Sequence, residues 1–82
     1  MTLEEAFGQV LREIRQDQNM SQERLGYESG YHRTYIGLLE RGKKNPSLTT
    51  IINIANALNI KASDLIKRIE ELMSSQSASP QK

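Results

Sequence analysis

The chain of 82 residues contains no cysteine and no tryptophan. Without thiols it can form neither a disulfide nor a thiolate metal site. Its one histidine, His32, has no second imidazole with which to share a metal ion, so no metal site is expected. Aromatic residues make up only 5%, which leaves Leu, Ile, Val and Ala to build the core. No apolar run approaches the ~20 residues that cross a bilayer. The start "MTLEEAFGQV" lacks the basic-then-apolar order of a signal peptide. A cytoplasmic protein without a membrane partner is expected. There is no glycine-rich phosphate loop, and Glu4, Glu5, Glu13, Glu70 and Glu71 read as exposed helix charges, not as a converging acid–base pair. These absences argue against an enzyme and against a bound cofactor.

What is present is helical periodicity. Leu3, Phe7, Val10, Leu11 and Ile14 recur every three or four residues and predict an amphipathic first helix. Thr2 and Glu5 form a T-x-x-E capping box at its start, and Asn19 suits its end. Ser21 is placed to cap a second helix, "QERLGYES", which Gly30 breaks. A third helix is predicted from about His32 to Glu40, burying Ile36 and Leu39 and ending at Gly42. Ser47 caps a fourth with inward Leu48, Ile51, Ile52, Ala55 and Leu58. Ser63 caps a fifth carrying Leu65, Ile66, Ile69, Leu72 and Met73. The expectation is a five-helix, all-α domain over residues 1–73, followed by a disordered polar tail over 74–82.

The second and third helices, joined at Gly30 within about twenty residues, have the spacing of a helix-turn-helix. Gly26 lies four residues before Gly30, where a larger side chain would hold the two helices apart. Leu25, Ile36 and Leu39 supply their shared core.

The run "MSQERLGYESGYHRTYIGLLERGKKNPSLTTIINIANALNI" resembles the lambda-repressor-like, Xre-type helix-turn-helix domain. Within that family, "HRTYIGLLERGKKNPSL" is particularly similar to controller proteins of restriction–modification systems. The resemblance implies a small dimeric regulator of transcription on a pseudo-palindromic operator. Its partners would be double-stranded DNA and a second copy of itself, with RNA polymerase a further candidate. It also implies a buried bridge between Arg15 and Glu40, joining the first and third helices.

In this fold the third helix enters the major groove and its N-terminal residues reach base edges. That assigns His32, Arg33 and Thr34 to the DNA. Arg33 is the strongest candidate for base reading, because a guanidinium can bond guanine O6 and N7 together. His32 could instead help to cap the helix. The resemblance gives Gln22 a phosphate contact, with Ser21 beside it sharing that role. Tyr35 could reach the backbone through its hydroxyl, and Arg41, Lys43, Lys44 and Asn45 form a flank suited to phosphates. From Tyr31 to Pro46 there are four basic residues against Glu40 alone. Tyr31 is expected to be half-buried against the turn, and Tyr27 could face either way. Leu38 departs from the family pattern, since relatives often carry a polar residue there; base reading is then confined to the helix start.

The fifth helix carries more apolar residues than one small core needs. Ile66, Ile69 and Met73, with Ile54 or Leu58 from the fourth helix, are therefore candidates for a two-fold interface. The rival to a DNA-binding regulator is an antitoxin whose helix-turn-helix also binds a protein partner. Such a protein usually carries an apolar arm, and the polar stretch after Met73 offers none.

Overall fold

Four of the helices begin where a polar side chain accepts an otherwise free amide of the first turn, three of them at the residues that the sequence pattern predicts. The computed structural model describes residues 1–76, which form α1 (Leu3–Asp17), α2 (Gln22–Ser29), α3 (Arg33–Glu40), α4 (Leu48–Ala57) and α5 (Ala62–Gln76), with no strand among them. At α1 the capping box closes in both directions. The Glu5 N–H donates to Thr2 Oγ1 at 3.1 Å and the Thr2 N–H donates to Glu5 Oε1 at 2.8 Å. That backbone hydrogen bond is the main cause holding the Glu5 carboxyl below its ordinary pKa. Ser21 and Ser47 cap α2 and α4 through the N–H groups of Arg24 and Thr50. The fifth start differs. α5 begins at Ala62, with the Lys61 carbonyl accepting from Asp64 and Leu65. Ser63 thus lies inside the first turn and is not the cap.

The helix ends follow one device. After α1, α3 and α4 the chain enters the left-handed region at Asn19, Gly42 and Asn59. The next amide then reaches back to a carbonyl of the last turn: Met20 to Arg15, Lys43 to Leu38, Ile60 to Ala55. This is the Schellman arrangement, which satisfies carbonyls that would otherwise be orphaned.

The core draws on all five helices. Phe7, Val10, Leu11 and Ile14 of α1 meet Leu25, Ile36, Leu39, Ile54, Leu65 and Ile69, with Leu58 just past α4. Gly8, buried within α1, permits a close approach of α1 and α3: a Cβ there would stand 2.4 Å from the Leu39 carbonyl oxygen. Gly26 does the same between α2 and α3, where a Cβ would lie 2.4 Å from the Tyr31 oxygen.

Three residues expected to point inward do not. Leu3 is 58% exposed and Leu48 75% exposed, and Ile52 is also exposed. Leu3 and Leu48 are the first residues of their helices, and burial begins further into the first turn, at Ala6 and Thr50. The tail boundary also moves: α5 continues through Ser74, Ser75 and Gln76. The remainder of the predicted tail, 77–82, lies outside the described residues.

Candidate nucleic-acid interface

The first two residues of α3 project from the helix-turn-helix with their side chains exposed. Gly30 makes the turn at φ 86°, a left-handed conformation that costs a glycine little. His32 then caps α3, its Nδ1 accepting the Thr34 N–H at 3.0 Å. That bond gives His32 a capping role and leaves Nε2 as its outward atom. Arg33 and Thr34 follow, both exposed. Tyr35 is half-buried and packs its ring on Tyr31, with centroids 5.2 Å apart. The Tyr31 hydroxyl donates to Thr50 Oγ1 and accepts from Asn53 Nδ2, both at 3.1 Å. Tyr31 is thus half-buried as expected, and it ties the start of α3 to α4. Tyr27, by contrast, is 84% exposed on α2.

Behind this face lies the predicted ion pair. Arg15 meets Glu40 through two bonds, Nε to Oε2 at 2.6 Å and Nη2 to Oε1 at 3.0 Å. The side chains are only 11% and 3% exposed. Arg15 Nη1 also donates to the Met20 carbonyl at 2.8 Å. Gln22 completes the cluster, its Nε2 donating to Glu40 Oε1 at 3.0 Å. Because a carboxylate only accepts, this contact fixes which way the Gln22 amide points. One N–H of that amide remains free for a second acceptor. Buried charges are tolerable when they are paired and saturated in this way, and no buried side-chain polar atom is left without a partner among the described residues.

The outer cations are different. Among the described residues, Arg33, Arg41, Lys43 and Lys44 make no ion pair with a carboxylate, and all four are exposed. Since Glu40 is taken by Arg15, the local positive charge is less compensated than residue counting suggests. Ser21 and Gln22 stand at the start of α2, and Gln22 lies close to the exposed end of Arg41 across Gly37. The loop after α3 is pinned at Gly42, where a Cβ would come 2.9 Å from Glu5 Cγ. Asn45, next to Lys44, is exposed as well. It lines an apolar groove of about 270 Å³ with Leu3, Phe7, Pro46, Ile51 and Ile66. Leu38 is half-buried and lies outside the core cluster.

The dimer candidates divide. Ile54 and Leu58 are completely buried, and Ile69 is buried at 4% exposure. All three complete the core of one chain and are withdrawn as contacts to a second. Met73 is partly buried against the core, while Ile66 is exposed. Sequence reasoning missed Gly8. The signal was available, as a glycine inside an otherwise regular amphipathic helix usually has a packing reason.

Comparison with known proteins agrees with this geometry. A helix-turn-helix family model matches residues 11–65. The control protein C.BamHI of Bacillus amyloliquefaciens is 49% identical over 61 residues, covering 73% of this chain and 75% of the relative. The control protein C.SmaI of Serratia marcescens is 43% identical over 68 residues, covering 83% and 81%. In solved structures, the restriction–modification controller protein C.AhdI of Aeromonas hydrophila superposes with a TM-score of 0.74 at 45% identity, covering 76% of this chain and 94% of that one. With five helices, a glycine-turned α2–α3 pair and an unpaired basic face, the chain belongs to the lambda-repressor-like, Xre-type helix-turn-helix family, and it is similar to restriction–modification control proteins.

Proposed function

We propose that this protein is a sequence-specific regulator of transcription that binds pseudo-palindromic operator DNA as a homodimer and belongs functionally with restriction–modification control proteins. The observation that carries the reading is the first turn of α3. Arg33 and Thr34 are exposed and unpaired there, on a helix anchored from behind by the Arg15–Glu40 bridge. A rigid helix start with a free guanidinium suits direct reading of guanine in the major groove. Ser21, Gln22, Tyr35, Arg41, Lys43, Lys44 and Asn45 then serve phosphates around it, fixing register without reading sequence.

Dimerisation is supported by the apolar residues left outside the core. Leu3, Leu48, Ile52 and Ile66 are exposed, and a small domain commonly covers such surface with a second copy. A two-fold pair would set its recognition helices about 34 Å apart, one turn of DNA. The role is regulatory and non-enzymatic, it is exercised in the cytoplasm, and RNA polymerase at the neighbouring promoter is its indirect target. Among the described residues no helix is long and apolar enough to cross a membrane.

Selection of bound sequences from random duplex DNA tests the proposal. Enrichment of an inverted repeat with half-sites one turn apart is the expected result. Recovery of no enriched sequence would sink the operator reading, and enrichment of a single unrepeated site would sink the dimer.

A further inference from the structure

Gly37 sits in the middle of α3, where glycine is a poorer helix former than alanine. It is neither a turn nor a point of backbone crossing: the atoms nearest to a hypothetical Cβ are the ends of two polar side chains. Arg41 Nη1 would be 3.2 Å away, and Gln22 Oε1 and Nε2 would be 3.7 and 3.8 Å away. Gly37 is buried beneath them. Arg41 follows it by one turn, and helical side chains lean back toward the N-terminus. The guanidinium therefore lies along the bare backbone at residue 37 and comes beside the start of α2. Arg33, Gly37 and Arg41 share one stripe of the helix, being four residues apart. Glu40, the nearest carboxylate in sequence, is occupied by Arg15 and Gln22.

We infer that Gly37 is a positioning residue whose missing side chain seats the Arg41 guanidinium beside the Gln22 amide, so that the two present their free N–H groups to one phosphate of the DNA backbone. This inference rests on the DNA-binding reading above. It ties Arg41, the C-cap of the recognition helix, to a partner on another helix, Gln22. The phosphate is bound by a charge-assisted bond from Arg41 and a neutral one from Gln22. Gln22 is itself held in place by Glu40, so the arrangement is fixed before DNA arrives.

The test compares Gly37→Ala, Gly37→Met, Arg41→Ala and the double variant Gly37→Met/Arg41→Ala, on the selected operator and on random duplex across a salt series. Arg41→Ala should weaken both DNAs on the order of tenfold and lower the salt slope by about one. Gly37→Met should reproduce that loss, and the double variant should add little to it. Gly37→Ala should lose less, because a few tenths of an ångström of movement at a flexible side-chain end accommodates it. Gly37→Ala should melt at or above the wild-type temperature, since it replaces a poor helix former, and it keeps the test valid should the bulkier Gly37→Met not fold. Wild-type affinity and salt slope in Gly37→Met would overturn the inference. So would losses that multiply in the double variant, or a changed base preference in place of uniform weakening. A wild-type protein that bound no DNA would instead remove the DNA-binding reading itself.

Discussion

Two clusters of charge, one on each side of α3, receive opposite treatment. Behind the helix, the buried Arg15 and Glu40 side chains pair with each other, and the half-buried Gln22 donates one N–H to Glu40. In front of it, Arg33, Arg41, Lys43 and Lys44 are exposed without an ion pair among the described residues. The difference separates what charge does for the fold from what it does for binding. A buried pair ties α3 to α1, because the Arg15 guanidinium meets the Glu40 carboxylate through two bonds at once. An exposed cation contributes little to folding and stays available to a polyanion.

Breaking the buried side should have the largest effect. Glu40→Ala leaves the Arg15 guanidinium buried without its carboxylate and should cost about 3–5 kcal/mol of folding stability, read by chemical denaturation. Replacing both partners, as Arg15→Met with Glu40→Leu, should recover most of that loss. A recovery absent from the double variant would mean that the pair contributes more than mutual compensation.

On the open side the sign of the experiment reverses. Arg33→Ala should leave the denaturation midpoint in place and cost about 1–3 kcal/mol of operator affinity, with preference relaxed at one base position. Unchanged affinity and preference would show that α3 is not the reading helix. Smaller still is Lys44→Ala, which should weaken operator and random DNA alike and reduce the salt slope by about one. A loss confined to the operator would place Lys44 among the base-reading residues and blur the contrast between helix start and loop.

The parts of the fold legible in the sequence are those decided within a few residues. Thr2, Ser21 and Ser47 cap as predicted because capping needs only an oxygen within reach of an amide three residues on. Gly30 and Gly26 were readable because a positive φ and a close crossing each exclude side chains. Ser63 shows the limit: it had the right chemistry, yet α5 starts earlier, at Ala62. Periodicity likewise identified an apolar face on α4 without showing how far that face is covered. Ile54 and Leu58 are sealed in the core, whereas Leu48 and Ile52 remain at the surface.

The candidate site divides along the same line. Arg33 and Thr34 could be placed from sequence, since a helix start following a glycine turn presents its first residues outward. The groove that Asn45 lines with Leu3 and Ile66 could not, because it depends on how the loop lies across α1 and α5. Nor could the nearness of Arg41 to Gln22, which belong to different helices and meet only over Gly37.

The sequence by itself determined five amphipathic helices, the glycine turn between the second and third, and the concentration of positive charge around it. These follow from backbone geometry and local hydrogen bonding, which act over three or four residues. Only the tertiary structure decided which apolar residues are covered, which cation loses its carboxylate and which polar groups converge. Those outcomes depend on helix crossings at Gly8 and Gly26, where the absence of one carbon atom sets the distance between elements far apart in the chain.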